Sequence, residues 1–279
     1  MFRVYRHHEA TWIESGGEFR RDGLSLDDLF TADDPLAVLA AAWKHAETAP
    51  APDGPWLPPV GNQEIWAAGV TYYRSRTARM EESEAAGGDR FYDLVYDAER
   101  PELFFKSTAA RARGHRQPVG IRSDSSWDVP EPELTLAINS SGKVFGATVG
   151  NDMSSRSIEG ENPLYLPQAK IYNGSCALGP ALLVGTLPGP DDAIHIVITR
   201  DGHDVFSGNT KLNQLKRSYD ELASFLFRDS AFPRGAFLMT GTGIVPDPPF
   251  TLQPRDEIHI TIDQIGTLSN PVAPAADIR

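Results

Sequence analysis

The stretch DVPEPELTLAINSSGKVFGATVGND, Asp128 to Asp152, decides the fold. Its two halves, ELTLAI and KVFGATV, are rich in aliphatic and β-branched residues, and Ser141-Gly142 between them is a turn signal, so it reads as an antiparallel β-hairpin. Two glutamates, Glu131 and Glu133, flank one proline at its start. Residues i and i+2 of a strand point to one face, so both carboxylates share a side. A turn around Ser140 to Gly142 pairs residues whose numbers sum to about 282, which sets 133 opposite roughly 149 and 131 opposite roughly 151. Asp152 then arrives beside the two glutamates. Charges set this close repel unless water screens them or a cation sits between them. Three converging carboxylates suit a hard divalent cation, and the absence of histidine and cysteine from the stretch argues against zinc. The competing reading is a charged strand edge that discourages aggregation.

Around the hairpin, from Gln63 onward, come further short strands: EIWAAGV, AIHIVIT, HDVFSG and DEIHITID, with a turn signal at Asp201-Gly202. Such a chain closes into a sandwich or a barrel-like roll. Two helical stretches interrupt it. One is TYYRSRTARMEESEA from Thr71; the other is KLNQLKRSYDELASFLF, where Leu212, Leu215, Tyr219, Leu222 and Phe225 keep helical spacing. Before Gln63, a strand-like start precedes a helix beginning at Asp34-Pro35, with Leu36, Leu39, Ala40 and Trp43 on one face. Glu47 to Asn62 holds five prolines and reads as irregular linker. The expected organisation is a small N-terminal α+β domain with its linker, 1–58, and a β-rich body, 59–279, within a mixed, β-rich α+β class. No repeat of fixed period and no low-complexity tract appears.

The chain has 279 residues, 41% of them hydrophobic, enough for a substantial core. No apolar run reaches the roughly 18 residues that span a bilayer, and MFRVYRHHEATW lacks an apolar stretch before a cleavage site. A cytoplasmic protein without a membrane partner is therefore expected. The single cysteine, Cys176, rules out an internal disulfide and, among the small residues of SCALGP, reads as a buried structural thiol. A formal net charge of -12 argues against a nucleic-acid partner. An anionic substrate would need a locally positive site built from a metal, lysine or arginine.

Taken in order, WAAGVTY, FFK, the E-P-E strand, GATVGNDMSSR, the lysine of QAKIYNGSCALGP, and TGTGIVP resemble the fumarylacetoacetate hydrolase superfamily over about residues 60 to 275. The resemblance implies a mixed β-roll that assembles as a homodimer or homotetramer. It also implies a small anionic 2-keto acid as substrate, and Mg²⁺ (with Mn²⁺ or Ca²⁺ able to substitute) on Glu131, Glu133 and Asp152. Acylpyruvate hydrolases of the family carry a lid histidine and glutamate that orient the attacking water. The matching stretch here, TYYRSRTARMEES, Thr71 to Ser83, has no histidine. It offers Arg74, Arg76 and Arg79 with Glu81, Glu82 and Glu84, similar to the superfamily's 2-keto-3-deoxy sugar acid dehydratases.

That likeness implies dehydration of a 2-keto-3-deoxypentonate, such as 2-dehydro-3-deoxy-D-arabinonate, to 2,5-dioxopentanoate, as in non-phosphorylative pentose catabolism. Cleavage of an acylpyruvate or diketo acid is the alternative within enzymes, and a non-catalytic sugar-acid or calcium binder is the alternative outside them. The implied roles are Glu102 as acid/base at the leaving hydroxyl, Lys170 taking the C3 proton or holding the keto group, and Lys106 in the F-x-K element. Arg76, Phe105 and Ser107 would line the substrate, and Thr242 and Gly243 would help receive its carboxylate. Each has a plainer alternative: a surface acid after Pro101, a snorkelling lysine, a solvated charged helix, a generic glycine turn.

Overall fold

The hairpin lies at the centre of the structure, a computed structural model that describes residues 1–8, 10–51, 55–72 and 94–278. Its strands are β8 (Asp128–Ile138) and β9 (Val144–Ser155), buried along almost their whole length. Glu131 faces Asp152, and Glu133 faces Gly150, one step from the pairing expected from the turn. The cause is a bulge: Ala137 pairs with Gly146 but Ile138 with Val144, leaving Phe145 without a partner on the ladder. Directly opposed residues share a face, so an unbulged ladder would aim Asn151 at the glutamates and turn Asp152 away. The Phe145 ring packs edge-on against Phe30, with centroids 4.9 Å apart.

Around the hairpin a ten-stranded sheet forms among the described residues. Its order is β4 (Glu47–Thr48), β3 (Glu18–Asp22), β2 (Thr11–Ser15), β1 (Phe2–Arg6), β10 (Cys176–Val184), β9, β8, β13 (Ala236–Met239), β5 (Glu64–Gly69) and β6 (Glu102–Thr108). A second sheet of five runs β12 (His203–Lys211), β11 (Ala193–Arg200), β14 (Glu257–Ile262), β15 (Gly266–Pro274) and β7 (Val119–Ile121). The expected β-rich α+β class and most of the expected strands are found.

Burial explains the strand sequences. Ile194, Ile196, Ile198, Ile258, Ile260 and Ile262 alternate inward from the second sheet onto Leu134, Leu136, Ala147 and Val149. The opposite face of β8 and β9 packs under α1 (Leu26–Thr31) and α2 (Pro35–His45) through Leu29, Phe30 and Leu39. Covered on both faces, β8 and β9 read as near-continuous apolar runs rather than as alternating ones. Their acids are therefore not an exposed edge.

The first 58 residues extend this same sheet, since β1 pairs with β10, and Val4 and Ile13 share a cluster with Phe237 and Met239. Among its described residues the proline-rich stretch is irregular apart from the Glu47–Thr48 pairing with β3 and a bridge from Leu57 to Arg6. Helix α2 starts where Asp34 caps it, its carboxylate accepting from the Ala37 amide. The helix expected over 211–227 is shorter: a 3-10 turn at Leu212–Gln214 precedes α5 (Tyr219–Leu226). Leu215 bridges to Tyr72 and the Lys216 amide donates to the Thr71 carbonyl, which leaves Ser218 to cap the helix. Two short helices not expected from the sequence, α3 (Arg156–Glu161) and α4 (Leu166–Lys170), follow β9. Of the lid expected from Thr71, the residues from Tyr73 on, with Arg74, Arg76, Arg79, Glu81, Glu82 and Glu84, lie outside the described residues.

Gly150 is the tightest point of the ladder. A Cβ there would sit 2.2 Å from Thr135 Oγ1 and 3.0 Å from Met239 Cε. Gly150→Ala should therefore cost on the order of 1–3 kcal/mol of stability through overpacking. A urea midpoint equal to that of the wild type would contradict this packing.

Candidate metal centre and active site

Glu131, Glu133 and Asp152 each offer a carboxylate oxygen within 4.8 Å of the others, and all three are buried. The bulge in β9 and the i, i+2 spacing in β8 suffice to converge them. Asp152 Oδ1 is in ion-pair contact with Lys106 Nζ at 2.5 Å. An all-oxygen, buried cluster of three carboxylates fits a hard cation such as Mg²⁺ and not a soft one.

Three fully buried cations surround the cluster. Lys170, at the end of α4, donates to Glu131 Oε2 at 2.7 Å and to Asp152 Oδ2 at 3.0 Å. Arg156, at the start of α3, donates from Nη2 to Glu131 Oε1 at 2.6 Å. Its Nε lies 3.9 Å from Glu159 Oε2, which also accepts from the Ser154 hydroxyl at 3.0 Å. Lys106 donates to the carbonyls of Met153 and Lys170 at 3.0 and 2.6 Å. Around the cluster, among the described residues and with Glu159 included, four buried carboxylates stand against three buried cations, so a bound divalent cation would turn a local deficit of one positive charge into an excess of one. That excess suits an anionic keto acid.

A second bulge puts Lys106 there. Ile65 pairs with Ser107 but Trp66 pairs with Phe105, so Lys106 is the extra residue of β6 and its side chain is redirected toward Asp152. Glu102 and Phe104 share the carboxylate face. The Phe104 ring lies 5.8 Å from Lys170 Nζ, and the Glu102 carboxylate packs so close to Gly69 that a Cβ there would be 2.0 Å from it.

The structure does not bring Phe105 to the cluster: it faces the other side of β6 and meets Trp66 edge-on at 5.8 Å. Period-two alternation identifies Phe104 as the member of the pair on the side of Glu102. Ser107 lies beyond the bulge, and its hydroxyl donates to the Thr108 carbonyl. Arg76 is outside the described residues.

The pocket over the carboxylates is walled by Ala68, Gly69, Val70, Phe104, Arg156, Gly241 and Thr242. Thr242 is at its wall, with its hydroxyl tied to the Ile244 backbone at 3.1 Å. A Cβ at Gly243 would meet Tyr72 at 2.7 Å, so this glycine is needed for close packing. The second amide of the loop, Gly241 N–H, donates to Glu133 Oε2 at 2.6 Å. The anion this amide receives is thus the protein's own carboxylate. Arg156 belongs to the GATVGNDMSSR stretch, and its signal in the sequence is a cation four residues after Asp152. Cys176 sits opposite Asp152, its thiol pushed up to about 12 by burial, which leaves it un-ionised and structural.

Burial first, and then Asp152 and Glu131, push the Glu133 carboxyl well above the usual carboxylate range. In the metal-free protein its stabilising contribution is present below the unfolded value and is lost as pH rises through the raised one. A divalent cation offsets that loss because it binds the ionised form. The rise in thermal midpoint on adding MgCl₂ should be larger near about pH 8 than near about pH 6. Equal shifts at both would contradict the assignment of Glu133.

Among the described residues no helix is long and apolar enough to cross a membrane. A family model described as fumarylacetoacetate (FAA) hydrolase, C-terminal, matches residues 81–273. A Haloferax volcanii protein named "Probable 2-keto-3-deoxyxylonate dehydratase" is 48% identical over 221 residues, covering 77% of this chain and 73% of that one. A Saccharolobus solfataricus protein named 2-dehydro-3-deoxy-D-arabinonate dehydratase is 43% identical over 217 residues, with the same 77% and 73% coverage. A solved structure of 2-keto-3-deoxy-D-arabinonate dehydratase complexed with magnesium and 2,5-dioxopentanoate superposes with a TM-score of 0.79 at 33% identity, covering 98% of each chain. On the strength of these matches the chain belongs to the fumarylacetoacetate hydrolase family.

Proposed function

We propose that the protein is a magnesium-dependent dehydratase that converts a 2-keto-3-deoxypentonate, such as 2-dehydro-3-deoxy-D-arabinonate, to 2,5-dioxopentanoate. The observation that carries this reading is the buried Glu131–Glu133–Asp152 cluster with Lys170 held between two of its members, in a chain so similar to dehydratases. When bound, a divalent cation supplies the positive charge that lets a keto oxygen take up electrons as the neighbouring C3–H bond breaks.

The remaining steps belong to the chain's own residues. Arg156, on the pocket wall, offers a guanidinium to the substrate carboxylate. Lys170 Nζ, as the neutral amine after its ammonium proton is given up to solvent, accepts the C3 proton. Lys106 holds Asp152 and the α4 terminus in place, and so fixes where Lys170 stands. Glu102, leaning over Gly69 beside the pocket, protonates the C4 hydroxyl, which leaves as water. The unsaturated keto acid then loses a C5 proton and regains one at C3, which gives the C4=C5 enol, and tautomerisation of that enol gives the C5 aldehyde. Phe104, Val70 and Ala68 keep bulk water off this chemistry. A cytoplasmic homodimer or homotetramer completes the reading, supported by the family resemblance and the lone, buried cysteine.

Two outcomes are expected. Incubated with Mg²⁺, the protein should form an aldehyde from 2-keto-3-deoxyarabinonate and no pyruvate from fumarylpyruvate; release of pyruvate with no aldehyde would replace dehydration by C–C hydrolysis. Lys170→Met should lower kcat by roughly 10²- to 10⁴-fold, the range of a lost general base. Turnover within a few-fold of the wild type would remove Lys170 from the reaction.

A further inference from the structure

The peptide group between Thr240 and Gly241 is engaged at both ends. Its N–H donates to Glu133 Oε2 at 2.6 Å, and its carbonyl accepts from the Thr71 hydroxyl, also at 2.6 Å. Thr71 and Thr240 are buried, and so is the bond between them. A hydrogen bond accepted by an amide carbonyl polarises the amide and strengthens donation from its N–H, most of all where water is excluded. The fit is close. Gly241 adopts φ 92°, and a Cβ on it would lie 1.9 Å from Thr71 Oγ1, so the hydroxyl rests directly against the glycine.

The backbone before Thr71 is set for this contact. Val70 has φ 53°, a left-handed conformation that a β-branched residue adopts only under constraint. On one side of it Gly69 is pressed against Glu102; on the other, the Thr71 carbonyl accepts from the Lys216 amide at 3.0 Å and Tyr72 bridges to Leu215. The turn therefore trades local strain for a fixed direction of the Thr71 hydroxyl.

We propose that Thr71 is a positioning residue for the metal centre: through the Thr240–Gly241 peptide it fixes the Glu133 carboxylate and so sets the affinity for the divalent cation. This rests on the metal-site reading above and adds the residue that tunes it. Loss of such an outer partner typically weakens a metal site 10- to 100-fold.

The test is calorimetric titration of the full chain with MgCl₂, without substrate, on wild type, Thr71→Val and Thr71→Ser. The Val variant keeps the shape and removes the donor; its Mg²⁺ Kd should rise by about 10-fold or more. The Ser variant keeps the donor and should stay within about threefold of the wild type. A Val variant that melts earlier but binds Mg²⁺ as tightly as the wild type would make Thr71 merely structural and overturn the proposal. Should that variant yield too little folded protein, Val70→Gly decides: it keeps the hydroxyl but frees the turn that aims it. An unchanged Kd there overturns the proposal, and a raised Kd with an undiminished thermal midpoint supports it. Failure of the wild type itself to bind Mg²⁺ would instead bring down the metal-site reading.

Discussion

Glu131 and Asp152 face each other across one rung of a buried antiparallel ladder, with Glu133 one step along the same face. Repulsion between carboxylates in so dry a place is severe, and the surrounding structure is largely its consequence. Lys170 and Arg156 clamp Glu131, Lys106 approaches Asp152, and the Gly241 amide holds Glu133. Buried ion pairs of this kind contribute little net stability, since desolvation offsets most of the attraction. Their presence is better explained by what they hold in place than by what they add to folding.

Two β-bulges, placed in different strands, make the arrangement possible. The one at Phe145 corrects the register so that Asp152 joins the glutamates, and the one at Lys106 redirects a lysine out of strand alternation. Each spends a ladder position to re-aim one side chain. The elements that carry Arg156 and Lys170 are short helices that could not stand alone; each is fixed because its cation is paired inside the cluster.

Periodicity makes much of the fold legible: the i, i+2 glutamates, the hairpin turn, the alternating isoleucines of β11 and β14, and the Asp34 cap each follow from a local rule. The rung at Asp152 differs by one residue from simple turn arithmetic because a bulge depends on how Phe145 packs against Phe30, a contact over one hundred residues apart in sequence. The helical spacing around Leu215 does not become a helix because that backbone is taken by a strand-like bridge to Tyr72. Strand parity, rather than the Phe104-Phe105 pair itself, decides which ring faces the cluster. Thr71, Gly241 and Arg156 carried no visible role because their partners are brought to them only by the folded sheet.

In the proposed dehydration a proton leaves C3 to Lys170 at this carboxylate cluster before the C4 hydroxyl departs. Proton NMR of 2-keto-3-deoxyarabinonate in D₂O with Mg²⁺ and the Glu102→Gln variant tests it most directly. The account predicts that a C3 hydrogen exchanges for deuterium faster than 2,5-dioxopentanoate appears, and that adding Lys170→Met stops the exchange. Exchange at C3 that persists undiminished without Lys170 would contradict it.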